Sequence, residues 1–238
     1  MIPLDDISFT AESSLYHPPR RDLLRAPVVG RVLRGRWGRL VLQLPLLFVA
    51  LLLIYDGFTG PPIAPQNLAT VSVWIHYRGL IILALLFVGN LFCMACPFTL
   101  PRTLALRLSR KGRRWPRALR NKWLAVAAFV AFLFLYEWLD MWAGPAITAW
   151  VIIGYFLSAF VLEALFAESP FCKYICPLGT FNFAASTLSP TQITVSDRDV
   201  CRTCPGKECV NGSPLILGCG TELFPPTLSS NLDCVLCL

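Results

Sequence analysis

Asn90–Arg110 reads NLFCMACPFTLPRTLALRLSR: an apolar run passes straight into two cysteines, a proline and a basic tail. Ser169–Phe181, SPFCKYICPLGTF, repeats the pattern where a second apolar run ends. The sulfur ligands are therefore tied to the points where the chain leaves an apolar phase.

Working outward, the 238-residue chain is 55% hydrophobic and 15% charged, with a mean hydropathy of +0.60. That is more apolar than an ordinary soluble domain. Four segments, at about 40–56, 74–93, 123–142 and 146–166, approach the roughly 20 residues needed to cross a hydrocarbon core of about 30 Å. Pro45 is tolerable inside the first, because neighbouring helices re-satisfy a freed carbonyl. The third and fourth are joined by a short corner at Ala143–Pro145 and read as a helical hairpin.

Most of the 21 basic residues fall into two blocks. Arg20, Arg21, Arg25, Arg31, Arg34, Arg36 and Arg39 precede the first span. Arg102, Arg107, Arg110, Lys111, Arg113, Arg114, Arg117, Arg120 and Lys122 separate the second from the third. The loops at the other ends carry no Lys or Arg. The positive-inside rule then places both blocks, and with four spans both termini, in the cytoplasm of a bacterial inner membrane. The net charge of +7 answers to topology and anionic lipid headgroups rather than to nucleic acid. No cleavable signal peptide is expected, since the first apolar run starts too late.

This topology puts all ten cysteines on the reducing side, which favours metal binding over a disulfide framework. Cys93 and Cys96 end the second span, and Cys172 and Cys176 follow the fourth. Cys201, Cys204, Cys209, Cys219, Cys234 and Cys237 lie in a polar tail rich in turns. Three domains follow: a basic N-terminal segment 1–39, a four-helix transmembrane domain 40–188 with two Cys-Pro motifs, and a ferredoxin-like tail 189–238. The tail has too little apolar material for its own core and needs metal to hold it.

Cys201-x2-Cys204-x4-Cys209 and Cys234-x2-Cys237 start the tight loops from which iron–sulfur clusters draw several thiolates. The rival is a zinc site of Cys201, Cys204, Cys234 and Cys237, which leaves Cys209 and Cys219 unused. We partition the tail as Cys201, Cys204 and Cys209 on one cluster, with Cys234 and Cys237 sharing a second with Cys219. The motif at DCVLCL would normally continue with further cysteines, so the chain is expected to be a piece of a longer product.

The two halves read as an internal repeat, each a hairpin followed by a Cys-Pro motif. Repeats of this kind bring equivalent elements together about a shared axis. Proline turns the chain off the helix where the thiols must face inward. The four thiolates suit a cluster, a copper or zinc ion, or a redox dithiol. The unequal spacing, x2 against x3, breaks the symmetry.

Cys93-Met94-Ala95-Cys96-Pro97, Cys172-Lys173-Tyr174-Ile175-Cys176-Pro177, the four spans and the cysteine-rich tail resemble the NosR/NapH group of membrane polyferredoxins. The FixG/CcoG proteins are also similar. The resemblance covers roughly residues 40–238. It implies an all-α membrane protein with a ferredoxin-like tail, carrying [4Fe–4S] clusters between the quinone pool and a respiratory metalloenzyme or its maturation system. The alternative is an accessory protein whose Cys93, Cys96, Cys172 and Cys176 bind or reduce copper during assembly of a respiratory enzyme.

Of the polar residues in the spans, His76, Arg78, Glu137 and Asp140 supply a quinol site on the outer side as a hypothesis, and Glu163 lies near the inner end of the fourth span. Snorkelling explains such positions as readily. Only His17 and His76 are present, on opposite sides, which disfavours a bis-histidine haem. Trp74, Trp123, Trp138, Trp142 and Trp150 mark the interface belt. No nucleotide-binding motif is present.

Overall fold

The structure is a computed structural model. It describes residues 22–34, 37–89, 91–101, 113–166, 170–177, 179, 187–188, 191, 193–195, 197–213, 218–219, 221, 223–228 and 234. His17, Cys237 and the basic stretch 102–111 lie outside the described residues. Those described are mostly helical, with no strand among them.

Among the described residues are four apolar helices: α2 (Gly38–Thr59), α3 (Leu68–Val88), α5 (Trp123–Trp138) and α6 (Pro145–Leu165). The short α1 (Val29–Arg34) precedes them, and α4 (Leu91–Ala95) follows α3. In the tail are α7 (Arg198–Thr203) and α8 (Glu208–Asn211). Three of these helices, α2, α3 and α6, are long and apolar enough to cross a membrane, while α5 has 16 residues. Their outer faces are apolar: Phe48, Phe87, Phe134 and Leu157 are all more than half exposed. A soluble domain rarely shows so much apolar surface, and lipid is the phase that tolerates it.

Local chemistry sets the boundaries. The Asp56 carboxylate, near the end of α2, accepts from the Ala69 amide at the start of α3 (3.1 Å). Asn67 caps the same helix, its Oδ1 accepting from Thr70 N–H while its Nδ2 donates to the carbonyls of Asp56 and Pro61. α3 therefore begins at Leu68, six residues before the expected 74. Its first turns include a π-helical stretch, Ser72–His76. Gly89, at φ 63°, ends the helix. The chain then turns back, so that Phe92 on α4 packs against Tyr77 on α3 (ring centroids 6.5 Å) instead of extending the span to 93. α5 ends at Trp138 rather than 142, because Asp140 adopts a left-handed conformation (φ 43°) and starts the turn into α6.

The helices alternate in direction. Trp74, in the first turns of α3, donates through Nε1 to Thr148 of α6 (2.9 Å) and packs on Tyr136 near the end of α5. Gly57, late in α2, faces Ala149 early in α6, and a Cβ there would lie 2.8 Å from the Ala149 Cβ. That close approach is the small-residue packing by which membrane helices gain van der Waals contact. Both cysteine motifs consequently fall at one end of the bundle, and the turns at 60–67 and 139–144 at the other.

Candidate functional site

The first motif is built by a helix end and a proline. α4 stops at Ala95, and Cys96 is extended (φ −60°, ψ 121°) because Pro97 disfavours helix in the residue before it. A 3-10 turn, Pro97–Thr99, follows, in which the Thr99 amide donates to the Cys96 carbonyl (3.2 Å) and the Phe98 amide faces the Cys96 sulfur.

The second motif contains one more residue between its cysteines, and the structure shows where it goes. Phe171–Ile175 is a π turn, closed by a 2.7 Å bond from Cys176 N–H to the Phe171 carbonyl. The wider turn absorbs the extra residue. Cys176 thereby reaches nearly the conformation of Cys96 (φ −66°, ψ 114°), again just before a proline. Its sulfur accepts from the Gly179 amide at 3.3 Å.

The two motifs approach each other. Phe98, just after Pro97, packs on Tyr155 of α6 (5.5 Å), and Tyr155 packs on Phe171, just before Cys172 (6.2 Å). Cys96, Cys172 and Cys176 lie within electrostatic reach of one another, as does Cys93, which also feels Cys234 of the tail. Glu163, buried on α6, acts on Cys172. Burial pushes the Cys96 thiol up to about 12, against the opposing pull of the Phe98 amide and the Arg39 guanidinium. Burial first, and the neighbouring thiols next, push Cys172 well above the ordinary thiol range. The site thus holds neutral thiols together in a poorly solvated place.

A geometry shared by two motifs of different length needs support from outside them. Gln43 of α2, almost fully buried, donates through Nε2 to the Met94 carbonyl (3.0 Å), the Cys96 carbonyl (3.4 Å) and Thr99 Oγ1 (2.7 Å). Lys122, at the start of α5, donates through Nζ to the Lys173 carbonyl (2.7 Å). Trp115 stacks on Tyr174 (6.2 Å, 3° between planes), and its neighbour Arg113 bonds through its amide to the Leu165 carbonyl. Residues 113–122 thus pack against the second motif and the end of α6.

The tail reaches the same end. Lys173 Nζ donates to the Thr221 carbonyl (2.7 Å), and Thr221 Oγ1 is 3.3 Å from the Cys219 sulfur. That sulfur also accepts from the Leu223 amide (3.4 Å). Ile193 packs against Leu33 and Met94, and Thr191 Oγ1 donates to the Val88 carbonyl. Within the tail, Cys201 feels Cys209 and Cys204, and its thiol is raised by partial burial first and by these neighbours and Asp197 next. Cys219 N–H donates to the Cys209 carbonyl (2.9 Å), which places Cys219 beside the Cys201–Cys209 loop. No disulfide joins the nine described cysteines.

As a donor set these thiols suit a thiophilic metal or an iron–sulfur cluster, and three of the sulfurs already receive amide hydrogen bonds. Among the described residues, however, no three His, Cys, Asp or Glu side chains converge closely enough to hold a metal ion. The donor chemistry fits; the closed ligand geometry is not present.

The polar residues of the other end do not form a comparable group. His76, Arg78, Glu137 and Asp140 are all exposed. Arg78 lies over the rings of Trp74 (5.5 Å) and Tyr136 (4.9 Å), a cation–π arrangement that anchors it at the bundle surface. Gln43, Lys122 and Lys173 are the residues that sequence reasoning did not single out. For Gln43 the signal was there: it is the one amide side chain within the apolar run of the first span.

No protein-family model, curated protein or solved structure matches the chain.

Proposed function

We propose that the chain is a membrane-bound iron–sulfur protein that relays electrons between the quinone pool and a respiratory metalloenzyme or its maturation system, resembling the NosR/NapH polyferredoxins. One observation carries the reading. Two Cys-Pro turns of different length bring their second cysteines to nearly the same backbone conformation, present those sulfurs to backbone amides, and meet at the bundle end to which the tail is tied.

The four antiparallel helices are four membrane spans, α5 completing its crossing through the turn that follows it. The cysteine end carries seven basic residues, Arg39, Arg113, Arg114, Arg117, Arg120, Lys122 and Lys173, whereas the other end carries one arginine, Arg78, together with Asp56, Glu137 and Asp140. That asymmetry supports a cytoplasmic placement of the thiols and both termini.

In the tail, Cys219 moves from the Cys234 and Cys237 group, to which spacing assigned it, to the ligand set that Cys201, Cys204 and Cys209 would form on binding metal, a regrouping supported by the Cys219–Cys209 backbone bond. Cys234, with Cys237 beside it in sequence, lies toward the membrane-edge group of Cys93, Cys96, Cys172 and Cys176. Bound clusters, expected as [4Fe–4S], would supply one-electron chemistry. The chain's own part is to ionise and hold the thiols, to steady their charge with the amides of Phe98, Gly179 and Leu223, and to exclude water by burial.

The test is an anaerobic redox titration of the full chain followed by electron paramagnetic resonance. Reversible iron–sulfur signals support the relay. If the tail signals survive replacement of all four membrane-edge cysteines while copper binding and target maturation are lost, the copper-accessory reading takes its place.

A further inference from the structure

Gln43 and Lys122 hold equivalent places in the two halves. Each lies at the start of the first helix of its hairpin, Gln43 in the second turn of α2 and Lys122 at the N-cap of α5. Each donates to the carbonyl of the residue that follows the first cysteine of its own motif: Met94 after Cys93, Lys173 after Cys172.

There is a physical reason for a donor at those points. Where a helix ends, its last carbonyls lose their intrahelical partners. In a continuing α-helix the Lys173 carbonyl would accept from residue 177, but Pro177 has no N–H. The Met94 carbonyl loses its partner because the chain leaves the helix at Cys96 and Pro97. At the buried Met94 carbonyl water cannot make up the loss, and at the part-buried Lys173 carbonyl it does so incompletely, so an unmet carbonyl is costly. Gln43 extends its hold to Thr99, whose hydroxyl in turn donates to the Cys96 carbonyl at 2.8 Å, so one side chain fixes both sides of the Cys96–Pro97 bond.

We infer that Gln43 and Lys122 are the paired positioning residues of the thiol site, each setting the turn, and hence the sulfur position, of the motif in its own half. The inference deepens the proposed function and rests on it for the use to which those sulfurs are put.

The experiment is site-resolved alkylation of the full chain, purified in detergent under anaerobic, reducing conditions and read by mass spectrometry, with iron and sulfide measured on the same samples. Gln43→Leu should speed modification of Cys96 by about tenfold relative to Cys176, the scale of one buried hydrogen bond. Lys122→Met should do the reverse, speeding Cys176 relative to Cys96. Lys122→Arg, which keeps a donor, should restore the native rate, and Cys201, Cys204 and Cys209 should be unmoved in every variant. The inference is overturned if the variants move neither motif, move both motifs and the tail alike, or if Lys122→Arg behaves as Lys122→Met. A motif-selective pattern in protein without iron leaves the positioning role standing and removes the iron–sulfur reading; iron and sulfide without the pattern do the opposite.

Discussion

Lys173 Nζ donates a 2.7 Å hydrogen bond to the carbonyl oxygen of Thr221. Lys173 stands between the two cysteines of the second motif, and Thr221 stands two residues past Cys219, so this contact ties the thiols at the bundle end to the tail. Lys173→Met keeps the length of the side chain and removes the donor. A hydrogen bond from a charged group contributes about 1.5–3 kcal/mol when buried, and less at a half-buried site such as this one. Lys173→Met should therefore raise the rate of Cys219 alkylation by about threefold to tenfold while helical content stays constant, as measured by mass spectrometry and circular dichroism. An unchanged Cys219 rate would show that the tail docks without Lys173.

At the other end of the bundle, Gly57 meets Ala149 and the Pro145 carbonyl with no room for a side chain. Gly57→Val forces α2 and α6 apart, and overpacking of this kind costs about 1–3 kcal/mol. Thermal unfolding in detergent should shift to lower temperature. A melting temperature equal to that of the native chain would mean that the two helices are not held at this distance.

The apolar helices were legible from sequence because their composition decides them, and the cysteine motifs because spacing and proline mark them. What sequence left open was geometry set by single residues. The start of α3 at Leu68 depends on Asn67 and Asp56 acting together across a turn. The end of α3 depends on the positive φ of Gly89, and the end of α5 on that of Asp140. The x2 and x3 spacings looked like a broken symmetry; the Cys176–Phe171 bond closes a π turn that removes the mismatch. The grouping of Cys219 with Cys209 is a backbone contact across ten positions, which no spacing rule supplies.

The burial of Cys96 gives the metal-free chain a dependence on pH. Unfolded thiols ionise near pH 8.5, whereas in the folded chain burial pushes Cys96 up to about 12. Between those values the folded state keeps a proton that the unfolded state releases. Stability from this group is thus complete below about pH 8.5 and falls as pH rises toward 12. Chemical unfolding of metal-free protein at pH 8 and pH 10.5 should show the loss at the higher pH, and Cys96→Ala should reduce it. A stability that rises over that interval in the native chain would contradict the burial of this thiol.

Metal binding should respond in the opposite sense. The neutral thiols must lose protons to become ligands, so binding releases protons and tightens as pH rises. Titration of the reduced, metal-free chain with ferrous ion at pH 7 and pH 8.5 should show tighter binding and greater proton release per metal than exposed thiols would give. Binding independent of pH would mean that the buried cysteines take no part.

The central claim is that cysteines from two membrane-edge turns and a tethered tail hold iron–sulfur clusters. Its most direct measurement is the iron and acid-labile sulfide content of the full chain purified without oxygen, beside the same chain carrying Cys219→Ser. The account predicts iron and sulfide in equal amounts in the native chain, with a marked loss of both in the variant. A colourless protein containing zinc, or no metal, and no labile sulfide would contradict it.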